Sequence, residues 1–493
     1  ISTALTGRRK LANRPDYHTM VPSDPEKLLE WRVAWRTDAM QDRYIQQAFR
    51  EAAFTNIDFW FRAFLWVVEP RSVLKVKPFL PWSHQVPIIR GMDAAIDEAE
   101  ETEEPSSLIL DKSRAQGATW LYLGIVLRRW LRDPLFSAGL VTRTEELVDS
   151  QRDQNAVMYK LDYMIKKLPM WMMPEGFRWD KHRSYSEHSL VNPQTGAAVI
   201  GYSASADVAR GGRSSVFVLD EIGSQEFIRG GKDYAVMRAT QHVTNCRFFV
   251  STFGGDTGVF FEAAQRAKKK EIDTKYLVLD WKDNPTQNRK LYTFKDGNIR
   301  MVDKRKFGDL SKSEMRTVRR QQEKLRNLGF KIQDTTRSPW YNRQCLDAGA
   351  TPRNIAQELD RNPHGAVSKV FSHDIVHRVR GQCGSKPMVQ GRLLFDRDSA
   401  ELIEPRVVEA EGGGLSLWRR PDLFGEFRGS FVIGCDIASG SGGDFSSNSV
   451  AYVIDKFTGE QVAEWASNIY PPERFACVCV ALARWFDDAV LIP

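Results

Sequence analysis

The sequence lacks a long apolar run. A membrane-spanning helix needs roughly 20 consecutive apolar residues, and the richest stretch here, Phe59 to Val68, is interrupted by Arg62, so no membrane partner is expected. No secretory leader is legible, because the N-terminal stretch is polar. The first residue is Ile1 rather than Met, so residues ahead of it are expected. Cysteine is scarce: the six, Cys246, Cys345, Cys383, Cys435, Cys477 and Cys479, form no C-x-x-C pair. In a chain of this size they read as buried, reduced thiols of a cytoplasmic protein, and no structural zinc is expected. The close histidine pair, His373 and His377, has i,i+4 spacing but no evident third ligand, and reads as a solvated helix face. No internal repeat or low-complexity tract appears, which excludes solenoid and disordered classes.

What is present is globular. The 493 residues are 42% hydrophobic and 27% charged, enough for two or three domains with their own cores. A net charge of +7 permits nucleic-acid binding without demonstrating it. The basic residues cluster at Lys268, Lys269 and Lys270, and again as Arg316, Arg319, Arg320 and Lys324 at helical spacing. The second cluster opens with Ser311 and Glu314 at capping-box spacing and closes at Gly329, so it reads as a helix whose face either tracks phosphates or is simply solvated.

The pattern along the chain predicts an α/β protein. Residues 1–75 read as a helical, aromatic-rich N-terminal region with one helix through Glu26–Ala53. Residues 76–285 alternate short apolar strands with helices, the signature of a parallel sheet covered by helices. Residues 286–425 are more polar and read as a second subdomain and linker, and a further α/β block fills 426–493.

Two constellations carry chemistry. In the first, the apolar strand Leu108–Asp111 runs through Lys112, Ser113, Arg114, Ala115, Gln116 and Gly117 into an apolar helix beginning Ala118-Thr119-Trp120. Strand, loop and helix N-terminus in that order cradle a phosphate on backbone amides. Gly117 permits close backbone approach, and Thr119 occupies the hydroxyl position that ligates magnesium. The usual lysine before that hydroxyl is replaced by Ala118, so the phosphate-contacting cation stays open between Lys112 and Arg114. Further on, Ser215–Leu219 is an apolar strand followed by Asp220 and Glu221, which fit a magnesium-holding acid and a water-polarising acid. Ser251 and Thr252 end another strand and could sense the terminal phosphate, though a strand–turn alone accounts for them. Gln85 has an amide suited to an adenine edge. Together these predict a P-loop ATPase core of the ASCE type using ATP and Mg2+.

In the second constellation, Asp436 ends the apolar strand Phe431–Asp436 and a Gly/Ser turn holding Asp444 follows. Two strands, a helix over Pro472–Phe486 and a new strand come next, the order of a ribonuclease-H-like nuclease that holds two divalent metals, Mg2+ or Mn2+. Asp436 and Asp444 are the candidate metal ligands. Because the chain stops at Pro493, the expectation is an incomplete nuclease domain beginning near 426.

These ordered motifs resemble the large subunit of tailed-bacteriophage DNA-packaging terminases. The resemblance runs from about Phe59 to Pro493: Pro78–Gln85 is similar to the family's adenine motif, Lys112–Thr119 to its deviant phosphate loop with the lysine at the start, Asp220-Glu221 to its acidic pair, Ser251-Thr252 to its coupling motif, and Asp436 to its first nuclease acid. The resemblance implies an ATP-driven motor that moves double-stranded viral DNA into a procapsid and cuts concatemers. It implies a portal protein and a small terminase subunit as partners, a homo-oligomeric ring, usually a pentamer, and a site of action in the host cytoplasm, docked transiently on the portal and absent from the mature virion. The trans-acting arginine of such a ring stays open among Arg143, Arg210 and Arg213. The alternatives are a helicase-like translocase of another superfamily and a transposase- or recombinase-like nuclease.

Overall fold

Asp42 ends one helix and begins the next. In place of the single helix expected over Glu26–Ala53, α1 spans Pro25–Gln41 and α2 spans Arg43–Thr55. The Asp42 carboxylate accepts from the amides of Tyr44 and Ile45, so capping α2 prevails over continuing α1. Asn56 caps α3, Ile57–Phe64, in the same way. The three helices close on aromatic side chains, with Trp35 stacked on Phe49 at 4.4 Å and Trp60 on Phe64 at 5.4 Å. The structure is a computed structural model that describes residues 21–204, 213–228, 231–365, 386–396, 405–419, 431–440, 442 and 446–492. Its contacts divide it into two compact units, 1–369 and 370–493. Among the described residues no helix is long and apolar enough to cross a membrane.

The first unit is built on an eight-stranded sheet. Its strands are β1 (Ser107–Lys112), β2 (Ser137–Thr142), β3 (Arg183–Ser184), β4 (Ser189–Val191), β5 (Ala198–Ser203), β6 (Val216–Asp220), β7 (Arg247–Ser251) and β8 (Thr274–Leu279), in the order β8-β1-β7-β6-β2-β5-β4-β3. The pairings from β8 to β5 are parallel, and β4 and β3 extend the sheet antiparallel. β1, β2 and β6 are buried almost throughout, which is why they read as continuous apolar runs. Helices α4 (Val86–Thr102), α5 (Ala118–Arg132) and α6 (Val157–Lys166) supply buried residues to one large apolar core shared with α2 and α3. β7 lies between β1 and β6, the inserted strand that marks the ASCE arrangement.

Residues 281–361 form a smaller layer of the same unit. β9 (Tyr292–Lys295) pairs antiparallel with β10 (Asn298–Met301) and β11 (Thr336–Arg337). The basic helix is α7, Lys312–Asn327, and its Ser311–Glu314 capping box is complete. Helices α8 (Pro339–Cys345) and α9 (Pro352–Glu358) follow, and Trp281 stacks on Tyr341 at 4.6 Å in their core.

The second unit contains a seven-stranded sheet. Its strands are β12 (Val389–Leu394), β13 (Arg406–Glu409), β14 (Leu415–Leu417), β15 (Phe431–Asp436), β16 (Ser449–Asp455), β17 (Gln461–Ser467) and β18 (Val490–Ile492), ordered β13-β12-β14-β17-β16-β15-β18. Three antiparallel strands, then α10 (Pro472–Trp485), then β18 parallel to β15, give the ribonuclease-H-like order. The sheet begins upstream of the boundary drawn at 426: β14 pairs with β17, so β12–β14 belong to this unit and not to a linker. Their alternating, glycine-interrupted sequence offered no long apolar run. Of the thiols expected to be buried, Cys246, Cys345 and Cys479 are, Cys435 is half-buried and Cys477 is exposed. Asp444, Arg210, His373, His377 and Cys383 lie outside the described residues.

Candidate nucleotide site and candidate nuclease centre

Parallel pairing aligns the C-terminal ends of β1, β6 and β7, where open α/β sheets place their ligands. Asp111 pairs with Ser251, and Asp220 with Val250, so Lys112, Glu221 and Thr252 leave the sheet side by side. After Lys112 the chain turns tightly: Ala115 and Gly117 both have positive φ, +60° and +73°. Gly117 is the N-cap of α5, and no side chain caps that helix. Its first-turn amides and its dipole therefore face the loop, as a phosphate site requires.

The loop is fastened on its far side. Ser113 donates its amide to the Leu279 carbonyl at 2.8 Å and its hydroxyl to the Leu359 carbonyl at 2.6 Å. Gln116 is buried, donating to Gln287 Oε1 at 2.8 Å and accepting from Asn284 at 3.2 Å. Gln85 is also buried: its Oε1 accepts the Trp82 amide and its Nε2 donates to the Gln116 carbonyl at 2.9 Å. Gln85 thus ties the Trp82–Gln85 segment to the loop between β1 and α5. Arg114 turns outward, its guanidinium paired with Glu358 at 2.9 Å and 71% exposed. Lys112 is half-buried, its ammonium makes no hydrogen bond or salt bridge among the described residues, and its charge acts on Asp220. Ala118 is buried at the start of α5.

Asp220 is the polar centre. Its Oδ2 accepts from Tyr122 Oη at 2.8 Å and from Thr119 Oγ1 at 3.3 Å. Its Oδ1 is buried without a partner among the described residues. Burial pushes its pKa up, against the nearby positive charge of Lys112. A carboxylate left half-satisfied beside a threonine hydroxyl fits a divalent cation and its water, which would supply the missing contacts. Glu221 has a positive φ of +59°, and its side chain is 45% exposed. Arg143 holds it: Nε lies 3.0 Å from Glu221 Oε2, and Nη1 lies 2.9 Å from Glu226 Oε2. Ser251 is buried, accepting from the Gly223 amide at 2.9 Å and donating to the Thr252 carbonyl at 2.8 Å, so it fixes the turn after Glu221. Arg213 donates to the His242 carbonyl beside the N-terminal end of β6, away from this cluster.

Sequence reasoning missed several members. Tyr122 lies one turn after Thr119 in an apolar helix and gave no signal. Lys160 comes from α6, far along the chain, and its charge acts on both Asp220 and Glu221. Arg361 pairs with Asp111 and Asp280, each at 2.7 Å, and Tyr276 also donates to Asp111. The pair Asp111–Arg361 joins β1 to the far end of the small layer.

In the second unit, Asp436 is exposed at the end of β15. Cys435 and Cys479 bring their sulfurs to 3.4 Å behind it. No group of three or more potential ligands is assembled for a metal among the described residues.

No family model matches the chain, and no curated protein is significantly similar to it. Among solved structures it is similar to the large terminase of bacteriophage HK97, at 14% identity and a TM-score of 0.40, over 84% of this chain and 67% of that one. It is also similar to the large terminase of a thermophilic bacteriophage in complex with ATP-γ-S, at 11% identity and a TM-score of 0.29, over 81% of this chain and 73% of that one.

Proposed function

We propose that this chain is the large subunit of a phage DNA-packaging terminase, an ATPase that moves double-stranded DNA into a procapsid and carries a metal-dependent nuclease centred on Asp436. The observation that carries the ATPase reading is the buried, half-satisfied Asp220 beside Thr119 at the mouth of an uncapped helix, with the charge of Lys112 acting on it. Helix and loop amides would take the phosphates, and Lys112 would place its charge there. Thr119 and Asp220 would hold Mg2+, which neutralises phosphate charge when bound. Glu221 would polarise the attacking water once Arg143 lets it go. The ribonuclease-H-like strand order of the second unit favours a terminase over a helicase-like translocase, which has no need of such a block. Duplex DNA, a portal protein, a small terminase subunit and a pentameric ring in the host cytoplasm belong to the same proposal.

Steady-state hydrolysis with and without duplex DNA tests it. Wild type should hydrolyse ATP with Mg2+ and respond to DNA. Glu221→Gln should retain nucleotide binding and lose turnover by on the order of a hundredfold or more. Near-normal turnover in that variant would remove Glu221 from its role, and a wild type that binds no nucleotide would remove the motor.

A further inference from the structure

Helix α6 brings a second lysine to the nucleotide site. Val157, Met158, Leu161, Met164 and Ile165 bury one face of α6. Beside that face Tyr163 meets the ring of Trp120, with centroids 6.2 Å apart and an interplanar angle of 80°. Trp120 directly follows Thr119, so this contact fixes α6 against the first turn of α5. Lys160 stands three residues before Tyr163, a neighbour on the same helix surface. It is half-buried, and its ammonium donates to the Asn155 carbonyl at 2.8 Å. Among the described residues it forms no salt bridge, yet its charge acts on Asp220 and Glu221, and to a smaller extent on Asp153 and Lys112. Burial pulls its pKa down, and Asp220, Glu221 and Asp153 oppose that pull.

The charges of two lysines, Lys112 and Lys160, therefore act on Asp220, and among the described residues neither forms a salt bridge. A purely structural lysine would be expected to point to solvent or to pair with a carboxylate. The loop lacks the usual cation at Ala118, so the site is short of positive charge just where phosphoryl transfer needs it. We infer that Lys160 is a second phosphate-contacting cation, acting in cis beside Lys112 on the terminal phosphate of a bound nucleoside triphosphate. The terminal phosphate is specified because the charge of Lys160 acts on the acids at the C-terminal end of β6, Asp220 and Glu221. This rests on the nucleotide reading of the site.

Lysine-selective acetylation of the full chain, read by peptide mass spectrometry, tests the inference without relying on turnover. It is run with Mg2+ alone, with ADP and with ATP-γ-S, and the exposed Lys269 serves as the reference. Lys160 should be protected by ATP-γ-S and not by ADP. In parallel, Lys160→Met should weaken ATP-γ-S binding about tenfold relative to ADP, and Lys160→Arg should recover part of that loss. If ATP-γ-S protects Lys112 and leaves Lys160 fully reactive, the inference falls while the nucleotide site stands. If neither lysine is protected and no nucleotide binds, the proposed function falls and takes the inference with it. Should the Met variant fail to fold, labelling of wild type still decides between these outcomes.

Discussion

Lys112 and Arg114 are two residues apart and serve different partners. Arg114 is paired with Glu358 at the surface, whereas Lys112 forms no salt bridge among the described residues and its charge acts on Asp220. Lys112→Ala should therefore lower turnover by on the order of a hundredfold, the scale of one lost transition-state charge contact. Arg114→Ala should lower it only a few-fold, because an exposed pair contributes little; a dead Arg114→Ala beside a normal Lys112→Ala in kcat measurements would reverse the assignment. Asp220 makes a second prediction. Burial raises its folded pKa above the ordinary carboxylate value of about 3.9, so over that window the native state holds a proton the unfolded chain has already lost. Its contribution to stability thus falls as pH rises through the window and stays unfavourable above it. Asp220→Asn should raise the thermal midpoint of the nucleotide-free protein at pH 7, raise it less at pH 4, and abolish Mg2+-dependent nucleotide binding. A variant less stable than wild type at pH 7 would contradict this. Residues such as Lys112, Thr119, Asp220 and Glu221 were legible because each sits at a strand end or helix start, where short-range pattern fixes position. Tyr122, Lys160 and the Arg143–Glu221 pair were not, because nothing local distinguishes a tyrosine or lysine aimed at a site from one aimed elsewhere.

At the scale of elements, the loop between β1 and α5 is held from the layer formed by residues 281–361. Ser113, Gln116 and Asp111 all reach partners there, and Arg361 is the joint, bridging Asp111 and Asp280. Asp111 is buried, and one of its oxygens lacks a partner among the described residues. Removing the guanidinium leaves an uncompensated buried carboxylate, an effect of about 3–5 kcal/mol. Arg361→Ala should accordingly shift the urea midpoint of the first unit strongly downward, and adding Asp111→Asn should recover much of the loss. Additive losses in the double variant would show that the two residues are not coupled. The sequence carried the parallel strands well, since a strand buried on both faces must be apolar throughout. It misled where a cap competes with helix propagation: Asp42 lies in a polar stretch that reads as an exposed helix face until its carboxylate is seen on the amides of Tyr44 and Ile45. It misled again over Val389–Leu417, where three short strands gain their stability from pairing with β17 and one another, and not from their own composition.

For the whole molecule, the division into two units has a thermodynamic consequence. Every residue placed in the nucleotide site, from Gln85 to Arg361, lies within 1–369. The apolar cluster of the second unit runs from Leu393 to Ala489 and includes no residue of the first. A ligand stabilises only the cooperative unit that binds it, by an amount set by its concentration relative to Kd. Calorimetry of the full chain should therefore resolve two transitions. Mg2+ with ATP-γ-S at about a hundred times Kd should stabilise one of them by about 2.7 kcal/mol and leave the other in place. The responsive transition should be identifiable by substitution: Asp220→Asn should cancel the shift, whereas replacing a core residue of the second unit, Leu482→Ala, should lower the unresponsive transition by about 2–5 kcal/mol without altering the nucleotide effect. A nucleotide shift in both transitions, or loss of that shift in Leu482→Ala, would mean that the two units fold as one and that the site draws on residues beyond the first.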